Sequence, residues 1–123
     1  MFGADQAPLA VAFLLGPAMI AAGGLIAWLA LQGWRGDLRR NRLAGIRTPT
    51  TLASDEAWAV AHRTAGPWMA LGSLGAIIPG IVLLFRPSNG TATSLIMIGL
   101  AVMVTFVIGG GAAGSIAASH LNE

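Results

Sequence analysis

Apolar residues along this chain gather into three long runs separated by two polar connections, instead of recurring with the period of an amphipathic helix or strand. The first run extends from about Pro8 to about Trp34, the second from Pro67 to about Phe85, and the third from about Ser94 to about Ser119. Each is long enough, at about 1.5 Å per residue, for a helix to cross a hydrocarbon core roughly 30 Å thick. No Asp, Glu, Lys, Arg or His falls within residues 9–31, 67–85 or 94–119. The pattern predicts an all-α integral membrane protein, a single domain over residues 1–123 with a polar loop at 35–66 between the first two spans.

Local signals refine this frame. Gly16-Pro17 and Pro79-Gly80 are expected to bend their helices, because proline removes a backbone donor and crowds the preceding turn. Gly72, Ala76 and Gly80 recur every fourth residue, and Gly110 with Gly114 repeats the spacing in the third span; such stripes let a neighbouring helix approach closely. Arg86 to Thr93 reads as a tight turn, with Pro87 and Asn89-Gly90 supplying its fixed and positive dihedrals, so spans two and three form a hairpin.

The first connection has its own structure. Gly45 permits backbone geometry closed to other residues, and Pro49 fixes a turn and pushes Thr48 toward an extended conformation. Ser54 is a favoured N-cap, with Asp55 and Glu56 in the first turn, which predicts a short interfacial helix from Asp55 to Ala65. On it, Asp55, Trp58 and His62 share one face, while Glu56 and Arg63 share another. Trp58 is expected at the headgroup level, with His62 pairing to a carboxylate or a backbone carbonyl.

Composition agrees with a lipid environment: 55% of residues are apolar and only 10% charged, with a mean hydropathy of +0.74. Six of the seven arginines lie between Arg35 and Arg63, which orients the loop toward the cytoplasm, the N-terminus outside and the C-terminus inside. The N-terminal segment carries Asp5 and no basic residue, so the first run is read as a retained helix and not a signal peptide. A formal charge of +2 is too small to suggest nucleic-acid binding, and the absence of cysteine excludes disulfides and thiolate chemistry.

Nothing in the sequence pairs a nucleophile with a base, clusters metal ligands or forms a phosphate loop, which points away from an enzyme and from any cofactor. His62 and His120 both fall at the inner face, but their spacing gives no support for a metal. Arg39-Arg40-Asn41-Arg42 reads as an anchor for anionic lipid headgroups, and Asn89-Gly90-Thr91 as a turn more than a glycosylation acceptor. Arg47, Arg63 and the nearby acids have two readings: a structural network pinning the loop under the bundle, or a pocket for a phosphate, a lipid headgroup or a partner protein.

The stretch Asn41 to Gly66, NRLAGIRTPTTLASDEAWAVAHRTAG, resembles the core of the SdpI family of small bacterial membrane proteins. Asn41, Gly45, Arg47, Thr48, Pro49, Thr51, Leu52, Trp58, His62, Arg63 and Gly66 carry the resemblance, and the three-span frame around them is similar as well. The family takes its name from an immunity protein against a secreted sporulation-delay toxin. The resemblance implies a non-enzymatic protein of the bacterial cytoplasmic membrane, acting in toxin immunity or membrane signalling through its cytoplasmic loop. An accessory subunit of a larger membrane complex is the alternative, with glycine-rich faces meeting a membrane-protein partner or a second copy.

Overall fold

A computed structural model of the chain describes residues 5–41 and 43–122. Three helices are long and apolar enough to cross a membrane, and the protein is a multi-pass membrane protein. The first comprises a π-helical turn, Val11–Leu15, running into α1, Gly16–Arg35. The break expected at Gly16-Pro17 takes this form: Gly16 N–H bonds to the carbonyl of Val11, five residues back, immediately before the proline that has no N–H to give. α1 ends at Gly36, whose left-handed φ of 83° closes the helix.

The separate interfacial helix does not form. Residues Asp55–Leu83 make one continuous helix, α2, that passes through both Pro67 and Pro79. Proline inside a helix costs about 3 kcal/mol or more, and packing on both sides of α2 offsets it. Ala57, Ala61 and Ala65 are fully buried; beyond Ala61, a Cβ on Gly114 of the third helix would collide with the Ala61 carbonyl. On the other side, a Cβ on Gly66 would meet Trp34 at 2.6 Å and the Ala30 carbonyl at 2.9 Å, and one on Gly33 would meet His62 at 2.8 Å. Neighbouring helices hold the turn that proline weakens, as is common within membranes.

With 29 residues, α2 is about 43 Å long, more than a hydrocarbon core of roughly 30 Å can hide. Asp55, Glu56 and Arg63 mark the end that protrudes, so we take 67–83 as the spanning part and 55–66 as its extension beyond the core.

The third helix, α3, runs from Asn89 to Ser119, five residues earlier than the sequence suggested. Ser88 caps it by accepting the Thr91 N–H, and Asn89-Gly90 fall inside the helix; the positive dihedral of the hairpin belongs to Arg86, at φ 51°. α1 and α3 pack on opposite sides of α2 more than on each other. The stripe of Gly72, Ala76 and Gly80 is accordingly shared: a Cβ on Gly72 would meet Phe106 of α3, and one on Gly80 would meet Gly16 and Ile20 of α1. At Gly75 and Gly99 backbone faces backbone, and a Cβ on either would collide with the carbonyl of the other.

At the end opposite the loop, residues 5–7 run alongside the α2–α3 turn. Ala7 N–H donates to Pro87 and Asn89 N–H to Asp5, each at 2.7 Å, while the Gln6 amide donates to the Arg86 carbonyl and Arg86 Nε to the Ala7 carbonyl, each at 3.1 Å.

Candidate functional site

The loop from 36 to 54 folds back over the first turns of α2 and is held there by side chains bonded to backbone. Asn41 begins it: its carboxamide oxygen accepts the N–H groups of Leu43 and Ala44, both at 2.8 Å, and its amide donates to the Arg39 carbonyl at 2.7 Å. This is an Asx turn, in which a short polar side chain stands in for a backbone acceptor. Arg42 lies outside the described residues.

Gly45 follows with φ of 106°, a region that side-chain-bearing residues rarely adopt. Space there is equally restrictive, since a Cβ would lie 2.6 Å from His62 Nε2 and 2.9 Å from the Trp58 ring. Thr48 and Thr51 close the next turn: the Thr51 hydroxyl donates to the Ile46 carbonyl at 2.6 Å and accepts the Thr48 N–H at 2.9 Å. Thr51 is fully buried, and Pro49 forms the exposed tip between them. A 3-10 turn, Thr51–Ala53, then leads to Ser54, whose hydroxyl accepts the Ala57 N–H at 3.0 Å and starts α2.

Two α2 side chains reach back to this loop. Trp58, 2% exposed, donates its indole N–H to the Leu38 carbonyl at 2.8 Å. His62, 5% exposed, accepts the Ile46 N–H at Nε2 and meets the Trp58 carbonyl at Nδ1, both at 2.8 Å. Because a backbone N–H donates to Nε2, that nitrogen carries no proton and Nδ1 is the donor, so the ring is neutral. Burial pushes the His62 pKa below its usual value, partly countered by the Trp58 carbonyl, which favours the protonated form. The two rings lie 4.1 Å apart and act as one block beneath the loop.

Of the residues singled out from the sequence, Asn41, Gly45, Thr48, Thr51, Trp58 and His62 thus share one clamp, Gly66 packs instead against Ala30 and Trp34 of α1, and Pro49, Arg47 and Arg63 sit on the exposed side of the clamp. Between the two partners open to it from sequence, His62 takes the carbonyl. Asp55 pairs instead with Arg40, 3.1 Å from Nε to the carboxylate, and Arg40 Nη1 also donates to the Leu52 carbonyl at 3.0 Å. Arg40 is therefore a staple between loop and helix, a role that its place in a run of arginines conceals. Leu38 and Ile46 also escaped notice, because each serves through its backbone and any residue type supplies that; Gly33, a small residue in an apolar run, carried the one readable signal among the missed positions.

The family model of the SdpI/YfhL protein family matches residues 37–111, which include the whole clamp, all of α2 and most of α3. The chain belongs to the SdpI/YfhL family. No curated protein and no solved structure matches it. Within the SdpI/YfhL match, α2 is the one helix covered on both sides, and the clamp sits on its protruding end.

Proposed function

We propose that this chain is a non-enzymatic protein of the bacterial cytoplasmic membrane that confers toxin immunity, or signals, through the clamped loop at 35–66. The N-terminus lies outside and the C-terminus inside, so the loop faces the cytoplasm, as six arginines in one connection favour. The observation that carries the reading is the extent of the SdpI/YfhL match, which begins at the loop and covers α2, which holds it, and most of α3. A loop fixed by buried bonds holds Pro49 and Arg47 on the exposed side that it shares with Arg63 of α2, which supports specific recognition.

The test is deletion in the encoding strain followed by challenge with secreted antibacterial peptides. Sensitivity is expected, restored by the intact chain and not by Arg47→Ala and Arg63→Ala together, with membrane levels matched by immunoblot. An unchanged strain, together with a stoichiometric partner retained in mild detergent, would replace this reading with that of an accessory subunit. Reporters fused to the two ends should appear in opposite compartments.

A further inference from the structure

Two concavities meet at Leu38. On one side a cavity of about 160 Å³ lies among Ile26 and Leu29 of α1, Met69 of α2 and Val107 of α3, with Leu38 and Ile46 over it. It exists because α1 and α3 each pack on α2 more than on one another. His62 borders it with both ring nitrogens already bonded, and the lining is mainly apolar, so the space suits an apolar group better than water.

On the other side a cleft of about 460 Å³ is lined by Gly36, Leu38, Arg39, Arg40 and Asp55. Two arginines against one carboxylate leave it positively charged. Asp55 and the Leu52 carbonyl occupy Arg40, whereas Arg39 is exposed. The bond from the Trp58 indole to the Leu38 carbonyl fixes the residue that lines both spaces.

We propose that cavity and cleft form one binding site for an anionic phospholipid of the leaflet on the loop side, its phosphate at Arg39 and part of one acyl chain against Ile26, Met69 and Val107. Positive charge beside an apolar slot matches a molecule with an anionic head joined to a hydrocarbon tail. A peptide fits less well, because its backbone amides would enter a mainly apolar space, whereas an acyl chain brings no polar group to desolvate. The site stands independently of toxin immunity.

The full chain, purified in detergent, is incubated with equal amounts of phosphatidylglycerol and phosphatidylcholine carrying the same chains, and retained lipid is counted by native mass spectrometry. Phosphatidylglycerol should be retained in about fivefold excess, the worth of one arginine near an anionic head. Arg39→Gln should bring the ratio to about one. Val107→Phe, or Ile26→Phe where the first variant does not fold, should lower retention of both lipids. Excess glycerol phosphate should displace nothing. Equal retention of the two lipids by the unaltered chain, a preference surviving Arg39→Gln, retention indifferent to a folded cavity-filling variant, or displacement by glycerol phosphate alone would each overturn the proposal.

Discussion

The two ends of the bundle are tied by different means. At the loop end, particular side chains capture backbone groups: Asn41, Thr51, Ser54, Trp58 and His62 each bond to a main-chain atom of the loop or of the helix it feeds. At the other end, residues 5–7 and 86–89 are joined by two main-chain bonds, with the Gln6 and Arg86 side chains adding one each. A tie made by side chains can be broken by single substitutions and is specific to residue type. One made by backbone tolerates most sequences and resists most point changes.

The largest expected effect follows at Gly45. Replacement by valine demands a φ of 106° from a β-branched residue and drives Cβ into His62 and Trp58. Backbone strain of this kind costs about 1–3 kcal/mol, and displacing both rings adds the loss of their bonds. Thermal unfolding in detergent should give Gly45→Val a lower midpoint than His62→Ala, Gln6→Ala or a change at either Arg39 or Arg40. A loss no larger than that of Gly90→Val, which meets open space, would mean that the clamp does not hold the loop.

His62→Ala comes next. It leaves the Ile46 N–H without its partner, a penalty of about 1–3 kcal/mol. Acidification attacks the same bond more gently, since a protonated ring turns a second donor toward Ile46 but keeps its bond to the Trp58 carbonyl. With the folded pKa lowered relative to the unfolded chain, the unfolded state binds the proton first. Stability is therefore fully present above the ordinary histidine pKa and is lost as pH falls from there toward the lower folded value. Unfolding followed from pH 8 to pH 5 should show this loss in the unaltered chain and a flatter profile in His62→Ala.

This contrast between ends also explains what was legible beforehand. Three spans, the Ser54 cap, the special backbone at Gly45 and the need of His62 for a partner, left open between a carboxylate and a carbonyl, all follow from residue types whose chemistry is narrow. The fusion of the interfacial helix with the second span was not legible, because Pro67 is a stop signal on its own and only the packing of Gly114 and Trp34 around it overrides that. The pairing of residues 5–7 with the hairpin left no trace, because each of its bonds has a backbone acceptor and two have a backbone donor as well. The assignment of positive φ to Asn89-Gly90 failed for a related reason: Ser88 captures those residues into α3, and Arg86 takes the strained position instead.

At the outer end the expected effect is smaller. Gln6→Ala removes one bond to the Arg86 carbonyl, worth about 0.5–1.5 kcal/mol, while the main-chain bonds of Ala7 and Asn89 remain. Hydrogen exchange should show modestly faster exchange at Ala7 and Asn89 and none of the loop amides affected. Faster exchange at Ile46 in this variant would show that the two ends do not act separately.

The smallest effects distinguish adjacent arginines. Arg40→Ala loses an exposed ion pair, typically worth about 0–1 kcal/mol, and one bond to the Leu52 carbonyl. Arg39→Ala loses neither, so its unfolding midpoint should match that of the unaltered chain, whereas Arg40→Ala should fall slightly below it. Salt separates the contributions further: the ion-pair part of the Arg40 effect is screened as ionic strength rises, while the bond to a neutral carbonyl persists. If the two variants unfold alike at every salt concentration, the arginine run works only through its total charge, and the loop end owes nothing to the particular contacts of Arg40.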